Sequence, residues 1–422
     1  MPAFTDPAFT DPAFTSPAFT SPTFTGSVSV TGHPYPTGPT GPTGRPYPTG
    51  SPHLTGPTGL GTSAARVAEL LRPRTAPAPA SGTAPAAAPG SASMPGRPTA
   101  SDSRALPELY CPPHLRDDPA LAREVNDRLV HWAEEVGIYA EQLEKFRQAD
   151  FGRLLMLTHP DTDDPARLLA AGRCMAAEFA VDDYFCEEAT TGEHPERLGP
   201  QLMLAQSAID PAQLPGPHRE AYRRAMEASP VWNALRRSVA DLSEYASGAQ
   251  INRLRQEIAG LFLGMDAEAG WRIGGRPPAV WEYLANRQMN SFLPCMTLVD
   301  VMGGYELPAQ VYGAPEVRRA TLQAALASVL LNDVYSMHKE DGAQGVEYNL
   351  PTVIAAEDGC TSAEAVQRSA DLHNELVHSF EASAAALSLT GDPVLTRYLG
   401  ALWAWLGGNK EWHAGSPRYN QS

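Results

Sequence analysis

The sequence predicts an all-α protein: a single helical bundle of roughly 320 residues behind a proline-rich tail. Three observations carry that reading. From about Leu106 onward, apolar residues recur at spacings of three and four. Asp-Pro pairs open the clearest of these stripes, an N-cap followed by the one residue that suits the first helical position. The period-two alternation of a half-buried strand is scarce.

The tail comes first in the chain. Pro2-Ala3-Phe4-Thr5-Asp6 starts a five-residue repeat through Phe9, Phe14, Phe19 and Phe24, followed by units such as Thr37-Gly38-Pro39 and Thr40-Gly41-Pro42. About half of the 40 prolines lie here. Proline removes backbone donors, and Gly and Thr add no core-forming period. Residues 1–104 are therefore expected to be disordered or loosely extended, a spacer or a partner-binding tail, with the folded domain spanning 105–422.

Within the domain, Asp118-Pro119 opens a stripe of Leu121, Val125, Leu129, Trp132 and Val136. Asp164-Pro165 opens another through Leu168, Gly172, Met175, Phe179 and Asp183. Further helices are expected near 217–229, 231–262, 279–302, 315–341, 361–390 and 393–408. Asp161-Thr162-Asp163-Asp164 spells D-x-D-D, a proton-donor motif elsewhere, but before Pro165 it reads as a helix cap. Gly59-Leu60-Gly61 nearly matches a dinucleotide fingerprint, yet no strand precedes it.

Net charge is −16 and the isoelectric point about 5.1, which argues against nucleic acid or an anionic membrane as partner. Mean hydropathy is −0.28 and no apolar run is long enough to span a bilayer. Five cysteines without a C-x-x-C pair read as reduced thiols, and the start of the chain lacks the pattern of a signal peptide, so a cytoplasmic location is expected. An acidic protein can still bind an anionic substrate through divalent cations.

Two polar clusters carry the chemistry. The first, Asp182-Asp183-Tyr184-Phe185-Cys186-Glu187-Glu188, ends the helix begun at Pro165. Phe179 stands three and four residues before the aspartates, so an apolar stripe carries the carboxylates to its own side. Acids at a helix C-terminus oppose the macrodipole and call for a counter-cation. The second cluster is Asn332-Asp333-Val334-Tyr335-Ser336-Met337-His338-Lys339-Glu340. Asn332, Ser336 and Glu340 share one helix face over about 12 Å and offer three hard oxygen donors, suited to Mg²⁺.

Together the clusters resemble the aspartate-rich motif and the N-D/S/E triad of the class I terpene cyclases. Arg287, 45 residues before Asn332, is similar in position to that family's diphosphate-sensing arginine, and Asn290-Ser291 to its helix break. Arg418-Tyr419 resembles its C-terminal Arg-Tyr pair, with Trp412 six residues earlier. The aspartate motif departs from D-D-x-x-D because Cys186 holds the fifth position, which leaves Asp183 and Glu187 both open as the second metal-facing acid.

The resemblance implies a class I terpenoid synthase bundle around an active-site cavity and three magnesium ions, two on Asp182 and one on Asn332, Ser336 and Glu340. Arg287, Lys339, Arg418 and Tyr419 would bind the diphosphate, and Phe179, Phe292, Trp403 and Trp412 would face the carbocation. A narrower likeness lies in Leu109-Tyr110-Cys111-Pro112-Pro113, Leu157-Thr158-His159-Pro160, the D-D-Y-F-C-E-E motif and the long extension. It implies 2-methylgeranyl diphosphate as substrate, with water capture at the end. Geranyl or farnesyl diphosphate, or a closing deprotonation, are the rivals, and a non-catalytic scaffold is the reading from another class. The resemblance leaves a homodimer open.

Overall fold

The computed structural model describes residues 106–186, 195–340 and 348–416, apart from the side chains at 195 and 337–340. Every regular element among the described residues is helical. The tail expected over 1–104 lies outside them, as do Glu187, Arg418 and Tyr419 and the side chains of Lys339 and Glu340.

Helix α1 (Pro119–Val136) begins where the Asp118 carboxylate accepts from the Ala120 and Leu121 amides, and it stops at Gly137, whose φ of 82° suits glycine. Its expected stripe is buried. Two helices not foreseen follow, α2 (Leu143–Gln148) and α3 (Phe151–Thr158). Helix α4 (Pro165–Val181) starts at Asp164, which accepts from the Ala166 amide. The D-x-D-D segment is structural throughout: Asp161 pairs with Arg397 at 3.1 Å and Asp163 with Arg116 at 2.6 Å.

Next come α5 (Leu198–Ile209), α6 (Gly216–Ala228), α7 (Pro230–Leu242) and α8 (Gly248–Gly274). The helix expected over 231–262 is thus two. Ser247 recaps the chain in a reciprocal box with Gln250, and α8 then runs on to Gly274. The helix expected over 279–302 is likewise broken, into α9 (Val280–Arg287), α10 (Leu293–Met296) and α11 (Val299–Met302). Pro294 cannot donate to a continuing helix, and Ser291 Oγ accepts the Leu293 amide instead. The short α12 (Ala309–Tyr312) leads to α13 (Pro315–Glu340), α14 (Leu350–Asp358), α15 (Ser362–Ser388) and α16 (Pro393–Gly415).

Helix α3 is the pivot of the packing, touching α1, α4 and α16, while α13 lies along α15 and α4 along α7. Close crossings depend on glycine. A Cβ at Gly408 would meet the Leu157 carbonyl at 2.6 Å, and one at Gly152 the Ala122 oxygen at 2.3 Å. None of the five cysteines forms a disulfide among the described residues. No helix among the described residues is long and apolar enough to cross a membrane.

Candidate active site

The aspartate-rich end of α4 does not simply stop. Residues Asp182–Cys186 form a π-helical turn, a widening that frequently marks a functional site. Within it, Asp183 Oδ2 accepts from the Tyr139 hydroxyl at 2.5 Å, and the Tyr184 hydroxyl accepts from the Tyr139 amide at 2.8 Å. Tyr139 holds a left-handed φ of 57°, so the loop after α1 is fixed against this turn. Asp183 is thereby tethered to another element. The Cys186 thiol is pushed well up, by burial first and then by the charges of Asp182 and of Glu268 in α8.

From Glu268 the polar network runs on to the second cluster. Glu268 accepts from Asn290 at 2.8 Å and pairs with Arg272 at 3.4 Å. Burial raises the Glu268 carboxyl, opposed by Arg287 and Arg272. Gly264 makes room for this arrangement, since a Cβ there would meet the Asn290 Cβ at 2.7 Å. Arg287, at the end of α9, donates to the Asn290 carbonyl at 2.8 Å and to Asp333 Oδ1 at 2.5 Å. Burial works against its charge, but Asp333, Tyr283 and Glu268 outweigh burial and hold the guanidinium protonated. Asp333 is 1 % exposed and also accepts from the Tyr283 hydroxyl at 2.8 Å and the Leu350 amide at 3.2 Å.

An apolar chain of rings joins the same two helix ends. Phe179 stacks on Phe151 at 5.2 Å and meets Phe292 edge-on at 6.4 Å. Phe292 in turn contacts Trp405 at 5.5 Å and His413 at 6.2 Å. His413 reaches Asn332 at 3.1 Å. Rings thus connect Phe179, three residues before Asp182, to Asn332, while polar contacts through Asn290 and Arg287 join Glu268 of α8 to Asp333 of α13. Trp412 packs on Phe151 at 5.7 Å, with its indole N–H donated to the Ala149 and Asp150 carbonyls.

Trp403 stands apart from these rings. It packs beside Phe380 at 6.2 Å and Tyr110 at 6.5 Å, on the other side of α16. Residues two apart on a helix point some 200° apart, so Trp405 takes the place expected of Trp403. The spacing was the available signal: Trp405 is seven residues before Trp412, on its stripe. Sequence reasoning also passed over Glu178, His413, Tyr139 and Glu268. Glu178 is buried next to Phe179, with the Cys295 thiol donating to it at 3.4 Å, and burial pushes its carboxyl up to about 8. A groove of about 370 Å³ between Val280, Ile354, Arg368 and Glu375 contains none of these residues.

The donors fit a hard divalent cation. Asp182, Asn332 and Ser336 bring oxygen, with no thiolate or imidazole required, and among the described residues no three His, Cys, Asp or Glu side chains form a competing metal group. An all-α bundle that carries such donors at two linked helix ends is the architecture of a metal-dependent cyclase of prenyl diphosphates. Residues 173–379 match the model of terpene synthase family 2, C-terminal metal binding. A 2-methylisoborneol synthase of Saccharopolyspora erythraea is 43% identical over 314 residues, 74% of this chain and 89% of that one. Another, of Streptomyces griseus, is 39% identical over 318 residues, 75% of this chain and 72% of that one. The crystal structure of 2-methylisoborneol synthase from Streptomyces coelicolor with Mg²⁺ and 2-fluoroneryl diphosphate superposes with a TM-score of 0.72 at 38% identity, covering 75% of this chain and 98% of that one. The chain belongs to the terpene synthase family.

Proposed function

We propose that this protein is a magnesium-dependent cyclase that converts 2-methylgeranyl diphosphate and water to 2-methylisoborneol and diphosphate. The observation that carries the reading is the identity of 38–43% to 2-methylisoborneol synthases over 74–75% of the chain. The donor set of Asp182, Asn332 and Ser336, with Glu340 at the next turn of α13, supports it.

In this reading Asp182 holds metal at one helix end, and Asn332, Ser336 and Glu340 hold it at the other. Asp183 serves chiefly to fix the π turn through Tyr139, and Glu187 remains a candidate ligand outside the described residues. When bound, Mg²⁺ acts as a Lewis acid toward the negative charge that builds on the leaving diphosphate. Arg287, held charged and still carrying unused N–H donors, hydrogen-bonds the same group. Lys339, Arg418 and Tyr419 are proposed to join it.

The cation left behind faces Phe179, Phe292 and Trp405, whose ring faces stabilise positive charge without adding to it. Trp412 backs this wall through Phe151. Diphosphate rejoins the allylic cation at C3 to give a linalyl-type diphosphate, and rotation about C2–C3 followed by a second ionisation permits six-membered closure to a terpinyl-type cation. Attack of its ring double bond on the cationic carbon then gives the bornyl-type cation, and water attacks that cation and loses a proton to yield the tertiary alcohol. Residues 1–104 are proposed to be dispensable for this chemistry.

Gas chromatography–mass spectrometry after incubation with 2-methylgeranyl, geranyl or farnesyl diphosphate tests the assignment. 2-Methylisoborneol from the first, at far higher kcat/KM than any product from the others, is expected. A dominant product from farnesyl diphosphate, or 2-methylenebornane as the main product, would overturn it.

A further inference from the structure

His413 of α16 is fully buried and in contact with a residue proposed to bind metal. Its Nδ1 lies 2.8 Å from the Asn409 carbonyl oxygen, one turn back on the same helix. A carbonyl oxygen only accepts, so Nδ1 donates to it, and Nε2 is the ring nitrogen that can offer a lone pair to a donor. The atom of Asn332 that lies 3.1 Å from Nε2 is Nδ2, the one amide atom that can donate to that lone pair. The amide is planar, so seating its nitrogen on His413 turns Oδ1 to the opposite side.

We infer that His413 is a positioning residue that sets the Asn332 amide so that its oxygen, and not its NH₂, faces the metal. This rests on the reading of Asn332 as a magnesium ligand. A flipped amide would offer the cation a donor with no available lone pair. His413 itself has little freedom to turn. Trp412 lies edge-on at 4.8 Å, Tyr335 at 5.5 Å and Phe292 at 6.2 Å, and the bond to Asn409 fixes which nitrogen points to α13. The arrangement is the amide counterpart of an outer residue that orients a metal-binding side chain, a role whose loss costs about 10–100-fold in metal affinity.

The test is Mn²⁺ binding to the full chain with inorganic diphosphate, read by electron paramagnetic resonance and independent of turnover. His413→Phe should weaken Mn²⁺ binding about 10–100-fold. In an Asn332→Asp background, where both sides of the side chain carry oxygen, the same change should cost less than about threefold. His413→Gln, which returns an acceptor near the Nε2 position, should bind within about threefold of the parent and serves if the phenylalanine variant does not fold. Equal losses in both backgrounds, a loss with His413→Gln near 100-fold, or parental binding by His413→Phe would each overturn the inference. Parental binding by Asn332→Ala would instead overturn the ligand reading beneath it.

Discussion

Replacing Asp333 with alanine probes the joint between α9 and α13. The carboxylate is 1 % exposed and accepts from Arg287, Tyr283 and the Leu350 amide. Removing one partner of a buried ion pair costs about 3–5 kcal/mol, because the other charge stays buried without compensation. The tyrosine adds little to that cost, since its hydroxyl already lies 3.2 Å from the Tyr348 carbonyl and can turn to it. The penalty therefore falls on the Arg287 guanidinium and on the Leu350 N–H, an unpartnered donor worth about 1–3 kcal/mol by itself and not simply additive. Urea denaturation followed by circular dichroism should show Asp333→Ala destabilised by about 3–5 kcal/mol at an unchanged m-value. Adding Arg287→Met should recover a large part of the loss, since the buried guanidinium is then gone and Glu268 keeps Arg272 at 3.4 Å. A penalty below about 1 kcal/mol, or no recovery in the double variant, would refute the reasoning.

Three further outcomes are expected. With its carboxyl raised from 4.5 to about 8, folded Glu178 keeps a proton that the unfolded chain gives up, so its contribution to stability is full below about pH 4.5 and falls as pH rises toward 8, by about 1.4 kcal/mol per unit. Glu178→Gln should flatten that limb in denaturation at pH 6 and pH 8. Burial lowers His159 to about 3, so the unfolded chain gains a proton below about pH 6.5 that the folded one refuses; stability should drop with acid from that point, and His159→Leu should blunt the drop. Gly408→Ala places a methyl against backbone atoms of Leu157 and Thr158 that cannot give way, and should lower Tm by the equivalent of about 1–3 kcal/mol.

The parts of the fold open to sequence reading were those with a one-sided environment. α1 has an Asp-Pro start and exposed residues opposite its buried stripe, so that stripe was visible, whereas α4, which has no exposed residue, was marked by its Asp-Pro start. α3 was not, because Phe151–Thr158 is almost wholly buried and a helix apolar all round has no period to detect. The divisions at 243–247 and 288–292 escaped because helix formers continue on both sides. They are made by capping and by Pro294, which local pattern does not weigh against propensity.

In the site, the clusters around Asp182 and Asn332 were visible because polar side chains close together on one helix stand out in the sequence. The Tyr139–Asp183 tether, the Arg287–Asp333 pair and the His413–Asn332 contact join residues 44, 46 and 81 apart, and no spacing rule reaches across them. Trp403 was preferred to Trp405 although the seven-residue interval to Trp412 already marked the other tryptophan.

The central claim is that the end of α4 and the end of α13 grip one metal-bound diphosphate. A crystal structure of the full chain grown with Mg²⁺ and inorganic diphosphate tests it most directly. Metal density on Asp182 and on Asn332 and Ser336, with the same diphosphate between them and within reach of Arg287, is the expected result. Diphosphate and metal bound elsewhere, with these side chains uninvolved, would contradict it.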